Sequence, residues 1–188
     1  MTRFDCPEYV RAWQNDGKFP AIHDGIFALL TEKVDPSMGA VLDLGSSTGL
    51  LSRRMADAGF TVFPLEGSRA AITAGREAGI YDGLEVTRTR ILPGDMRDTF
   101  PAWLASHNIT IVMARRVFPE LDDYGVHPPW LSRAFMEAEV QHLFVEGRVL
   151  RPNAIHRLRS LNDEIKAIGT GWEVESYDGP HRAHLIRA

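Results

Sequence analysis

With 188 residues, 44% of them hydrophobic and 24% charged, the chain has the makeup of one globular domain with a real core. A net charge of −4 disfavours free duplex DNA as a partner, and the single cysteine, Cys6, excludes an intrachain disulfide and suits a reducing, cytoplasmic compartment. Arg3, Asp5, Glu8 and Arg11 interrupt any apolar signal core, and no uncharged run is long enough to predict a membrane helix.

Two helices are predicted first. Pro7–Asn15 places Tyr9, Val10 and Trp13 at helical spacing, and Gly17 to Pro20 breaks it. The second runs from Ala21 to Val34, with Ile22, Ile26, Phe27, Leu29, Leu30 and Val34 as a 3.6-period stripe. Asp35-Pro36-Ser37 ends it. From Ala40 strands and helices alternate. Val41–Leu44 is the first strand and Thr48–Ala58 the first helix, stopped by Gly59. Thr61–Leu65 is the second strand. Ser68 caps a helix over Ala71, Ile72, Ala74 and Ala78, which Gly79 ends. A third strand lies near Val86–Leu92 and a helix around Phe100–Ser106. The fourth strand, Ile109–Ala114, is a nearly continuous apolar run, as suits a sheet covered on both faces. Val117–Pro129 reads as a loop rich in Pro, Asp and Gly. Leu131–Val140 is a helix, Leu143–Val145 a fifth strand and Ser160–Ile168 a helix. Trp172–Tyr177 and His184–Ile186 flank Asp178-Gly179-Pro180 as a hairpin, which so short a turn permits only between antiparallel strands. The alternation predicts an α/β fold, a doubly wound and mainly parallel sheet behind two N-terminal helices.

Ligands of open α/β sheets sit at the carboxyl ends of the strands. Val41 to Gly49 reads V-L-D-L-G-S-S-T-G, a strand, a turn and a helix start in succession. Gly45 and Gly49 lack Cβ and allow backbone to approach a ligand closely. The helix start presents N–H groups without intrahelical partners. Three acids fall at or near strand ends: Asp43, Glu66 in V-F-P-L-E-G-S, and Asp95 in L-P-G-D-M-R-D. A carboxylate ending the second strand suits a bidentate bond to ribose hydroxyls. These residues alone point to a nucleoside-containing ligand. A dinucleotide fingerprint G-x-G-x-x-G from Gly45 needs glycine at 47 and 50, where Ser47 and Leu50 stand.

The turn D-L-G-S-S-T-G, with the acids at the next two strand ends, resembles that of the class I S-adenosylmethionine-dependent methyltransferases. The resemblance runs from about Ala40 to the end of the chain. It implies a Rossmann-like seven-stranded sheet with the last strand inserted antiparallel. It also implies one cofactor-binding domain, with residues 1–36 as a helical lid or cap and 37–188 as the core, and S-adenosylmethionine as the cofactor. By that resemblance Asp43 helps to hold the methionine ammonium. Gly45, Ser46, Ser47 and Gly49 wrap the methionine and ribose. Glu66 takes the ribose hydroxyls, with Gly67 beneath the adenine. Asp95 accepts from the adenine amino group and Met96 packs on the ring. The backbone of Ala114 and Arg115 faces the sulfonium. Two positions depart from the family pattern. Ser47 stands where the turn has its middle glycine, and I-V-M-A-R-R lacks the acid often found at the end of the fourth strand.

The implied acceptor is a small molecule or a protein, and no catalytic base is identified. A cofactor-binding domain with a non-methylating activity or with a sensor or interaction role, a nicotinamide reductase, and a homo-oligomer stay open. The segment after the fourth strand offers Arg115, Arg116, Glu120, Asp122, Asp123, Tyr124, His127 and Trp130. H-P-P-W at His127–Trp130 reads as a rigid proline turn opening a helix rather than an amine-binding motif. Arg115-Arg116 either binds an anion, of substrate or cofactor, or pairs with Glu120 or Asp122. The Lys-Asp-Lys-Glu set of RNA ribose methyltransferases is missing. Lys18 and His23 lie beside the N-terminal break, in a lid or on the surface. His181 and His184, three apart in a strand, point to opposite faces and do not suggest a metal. Trp13, Phe27 and Phe60 read as core.

Overall fold

The computed structural model describes residues 19–88, 99–123, 125–147 and 160–188. The helix predicted at Pro7–Asn15, and with it Trp13 and Lys18, lies outside them, as do Asp95 and Met96. The described residues fall into two compact units that divide between Arg90 and Ile91.

In the first unit, helix α1 (Phe19–Lys33) buries Ile26, Leu29 and Leu30, as its stripe predicts. Asp35 ends it by capping a short 3-10 turn at Pro36–Met38, its carboxylate accepting from the Ser37 amide at 2.9 Å. Strand β1 (Ala40–Leu44) is buried along its whole length. Strand β2 (Val62–Glu66) runs parallel to it, with Asp43 opposite Pro64 and Leu44 opposite Leu65. Strand β3 (Thr87–Arg88) adds to β2 in parallel, in the order β3-β2-β1. The remainder of the predicted third strand lies outside the described residues. Helix α2 (Leu50–Asp57) begins two residues later than predicted. The reason is the turn: Ser47 and Gly49 are left-handed, at φ +55° and +86°, and helix cannot start before them. Helix α3 (Arg69–Glu77) is capped by Ser68, whose Oγ accepts from the Ala71 amide.

In the second unit, helix α4 (Phe100–Ser106) spans the predicted residues. Strand β4 (Ile109–Arg115) pairs in parallel with β5 (His142–Glu146), and Arg115 lies opposite Glu146. Strand β7 (Arg182–Arg187) is antiparallel to β5, and β6 (Trp172–Asp178) is antiparallel to β7. The order β4-β5-β7-β6 places the last strand of the chain inside the sheet, as expected. Helix α7 (Leu161–Ile168) is capped by Ser160. The predicted loop at 117–129 is instead largely helical: α5 spans Phe118–Asp123 and α6 spans Pro128–Glu137. Its prolines misled the composition reading, because Pro119, Pro128 and Pro129 sit in first turns, where a missing N–H costs no helical bond. Phe100, Leu104, Ile111, Phe118, Phe135 and Phe144 form the interior of this unit.

The pattern is α/β, with parallel strands in the first unit and a mixed set in the second. Among the described residues no helix is long and apolar enough to cross a membrane.

Gly75 tests how tightly the first unit is packed. A Cβ there would stand 2.4 Å from the Thr48 carbonyl oxygen and 2.5 Å from the Tyr81 ring. Gly→Ala inside a helix ordinarily gains roughly 0.5–1 kcal/mol. Here the sign is reversed: Gly75→Ala is expected to cost about 1–3 kcal/mol in urea denaturation, because backbone must move.

Candidate cofactor site

The turn after β1 is held by backbone from the neighbouring strand. The Gly45 and Ser46 amides both donate to the Leu65 carbonyl, at 2.9 and 3.1 Å. The Gly49 amide closes onto the Ser46 carbonyl at 2.9 Å. Ser47 is left-handed without being glycine, a conformation that surrounding contacts must enforce.

Two side chains enforce it. Glu66, the last residue of β2, accepts the Ser47 amide through Oε2 and the Ser68 amide through Oε1, both at 2.6 Å. One carboxylate thereby ties the first turn to the start of α3. Tyr81 works from the other side: its hydroxyl donates to the Ser47 carbonyl at 2.7 Å. Having a single proton, that hydroxyl accepts from Ser46 Oγ at 3.0 Å. Burial pushes the phenol far above its usual range, so it serves as a neutral hydroxyl. The ring lies against Gly49, where a Cβ would come within 2.4 Å of it. Asp43, 3% exposed, accepts from Ser52 Oγ of α2 at 2.5 Å. Gly45, Ser46, Ser47, Gly49, Asp43, Glu66 and Gly67 thus belong to one unit, five of them linked through these bonds.

In the second unit the carboxyl ends of β4 and β5 carry charge. Ala114 is buried in β4. Arg115 Nε and Arg116 Nε stand 3.3 and 2.6 Å from the same Oε1 of Glu146. Glu146 is thus a charged partner that the two arginines share. Asp122 meets His127, Oδ1 to Nδ1 at 2.5 Å. The side chains of Glu120 and Asp123, and Tyr124, lie outside the described residues.

The sequence matches no protein-family model and no curated protein. Solved structures match across most of the chain. Magnesium protoporphyrin IX methyltransferase (ChlM) from Synechocystis PCC 6803, with bound SAH, aligns at a TM-score of 0.63 and 12% identity, covering 90% of this chain and 83% of that one. A SAM-dependent methyltransferase from Aquifex aeolicus aligns at 0.61 and 12%, covering 97% of both. A protein solved in a study of the conversion of a disulfide bond into a thioacetal group during echinomycin biosynthesis aligns at 0.59 and 17%, covering 86% and 80%. The chain has the class I S-adenosylmethionine-dependent methyltransferase fold.

Sequence reasoning missed three residues of this methyltransferase-type framework. Tyr81 follows the Gly79 stop, and a tyrosine among apolar residues asks for a partner for its hydroxyl. Ser52 is a small polar residue on the inner face of α2. Glu146 ends the apolar run H-L-F-V-E, so the strand-end reasoning that picked out Asp43 and Glu66 finds it when applied to β5. Elsewhere, Phe60 is buried as expected, while Phe27 carries the Arg54 guanidinium 4.4 Å above its ring. His23 is half-buried, and Trp130 stacks on Phe100 at 6.0 Å. His184 is buried against Phe144, its Nε2 3.0 Å from His142 Nδ1 and its Nδ1 3.2 Å from Glu175. The His181 carbonyl accepts from the Gly147 amide.

Two outcomes follow. Tyr81→Phe removes the bond to the Ser47 carbonyl and leaves Ser46 Oγ without its acceptor, so it is expected to cost about 1–3 kcal/mol in denaturant unfolding. The His142 imidazole is held below its ordinary value of 6.5, chiefly by burial, with Glu175 acting in the opposite sense. The unfolded chain therefore binds the proton first as pH falls, and stability present above pH 6.5 declines below it. His142→Gln is expected to flatten that decline when unfolding is measured across the range.

Proposed function

We propose that the protein is an S-adenosylmethionine-dependent methyltransferase. The observation that carries this reading is the left-handed Gly45–Gly49 turn, gripped by Glu66 at the end of β2 with Asp43 buried beside it. A carboxylate accepts about four hydrogen bonds, so Glu66 is suited to take ribose hydroxyls while it keeps the Ser47 and Ser68 amides. Asp43 supplies a negative charge for the methionine ammonium, and the glycines let the cofactor lie against main chain. The bound cofactors of the methyltransferase of like fold add support. Gly67, Asp95, Met96, Ala114 and Arg115 enter the proposal through the family resemblance, as does a single domain with a continuous, doubly wound seven-stranded sheet.

The cofactor supplies an electrophilic methyl group. The protein has to align it with an acceptor and exclude water. The acceptor is a small molecule or a protein rather than duplex DNA, in keeping with the net negative charge. A cytoplasmic location accords with the lone cysteine.

Calorimetry with S-adenosylmethionine and S-adenosylhomocysteine tests the reading directly, with mass spectrometry of a panel of acceptors to detect the methylated product. Both ligands are expected to bind. Glu66→Ala is expected to weaken binding by about 1–3 kcal/mol, the worth of a hydrogen bond to a charged group. An NADH titration is expected to leave its fluorescence unchanged. Binding of NADH in place of both sulfur cofactors overturns the assignment.

A further inference from the structure

Ser46 and Tyr81 share a hydrogen bond whose direction is fixed. The Tyr81 hydroxyl stands 2.7 Å from the Ser47 carbonyl oxygen and 3.0 Å from Ser46 Oγ. A carbonyl oxygen only accepts, so the single phenolic proton goes to Ser47. The bond to Ser46 then runs the other way, with the serine hydroxyl as donor. The phenol keeps its proton: burial raises it far above its usual range, Ser46 and Arg76 oppose this, and the carboxylates of Asp43 and Glu66 add to it.

The ring has no room to move away. One of its edges lies against Gly49 and the other against Gly75, where added Cβ atoms would come within 2.4 Å of Cε1 and 2.5 Å of Cε2. Clamped between two glycines, the ring holds its hydroxyl at the turn. Ser46 is 7% exposed, and Tyr81 is the only hydrogen-bond partner of its hydroxyl among the described residues. With its proton committed to Tyr81, Ser46 Oγ has only acceptor lone pairs to offer a ligand. Donation along the chain from Ser46 to Tyr81 to the Ser47 carbonyl makes each donating oxygen a stronger acceptor in turn. A ligand ammonium can bond to such an oxygen. A carboxylate, which also only accepts, finds no proton there and leaves the contact unsatisfied.

We propose that Tyr81 sets the ligand specificity of the turn, making Ser46 Oγ an acceptor for the amino group of the methionine moiety and excluding the carboxylate from that place. This deepens the methyltransferase reading and rests on it. Ser46 then shares the ammonium with Asp43, and the methionine carboxylate is bound elsewhere. Tyr81 acts through Ser46 and touches no ligand atom itself.

Calorimetry on the full-length protein with three related compounds tests this. They are S-adenosylhomocysteine, its deaminated analogue, which keeps the carboxylate, and its decarboxylated analogue, which keeps the amine. Wild type is expected to bind the two amines about tenfold or more tighter than the deaminated compound, as suits a hydrogen bond to a charged group. Tyr81→Phe keeps the ring and frees the Ser46 proton, so the preference is expected to narrow about fivefold or more through weaker amine binding. Ser46→Ala removes the acceptor, is expected to narrow the preference likewise, and covers the case in which the tyrosine variant does not fold. An equal loss for all three compounds in Tyr81→Phe makes its hydroxyl structural only and overturns the proposal. So does a preference left unchanged in either folded variant. Wild type that binds all three without favouring the amines removes the proposal alone, whereas wild type that binds none of them removes the methyltransferase reading and the proposal together.

Discussion

The first unit depends on a backbone conformation that Ser47 does not favour by itself. A left-handed serine persists only when its amide and its carbonyl both have fixed partners. Glu66 holds the amide and Tyr81 holds the carbonyl. Without these two side chains the turn keeps only its backbone bonds to Leu65 and its own closure from Gly49 to Ser46. The part of the cofactor proposal that concerns the turn follows from that shape, since it sets the path of the backbone along the end of β1 and the point at which α2 begins.

Glu66 shows how a strand-end acid in such a fold organises the backbone around it. Its two oxygens tie the Ser47 turn to Ser68, the cap of α3, and so connect the two βα junctions of the unit. A group already fixed by two short backbone bonds loses little further freedom when a ligand hydroxyl arrives, and preorganisation of this kind favours binding. Tyr81 has a comparable double role. Its hydroxyl orders two serines while its ring fills the space that Gly49 and Gly75 leave open. The two glycines are therefore explained by packing against one aromatic ring as much as by backbone freedom.

The second unit uses charge at its strand ends in another way. Asp43 and Glu66 face hydroxyl and amide donors, whereas Glu146 faces two arginines.

Much of the architecture was legible in the chain. Apolar patterning located the described strands to within about two residues, apart from the end of the third, which lies outside the described residues, and Ser68 declared its helix, because a cap acts over one turn and needs no tertiary partner. The turn and its acids were legible for a related reason: V-L-D-L-G-S-S-T-G is a local pattern whose strand, glycines and helix start lie side by side in sequence. Composition failed at residues 117–129, where prolines that open α5 and α6 look the same as prolines that break a chain. Long-range pairing was closed to the sequence altogether. Which carboxylate meets Arg116, which hydroxyl holds Ser47 and which ring lies under Gly49 are settled by segments 30 or more residues apart in the chain. Local chemistry determines what each segment offers, and only the packing of distant segments decides what each offer meets.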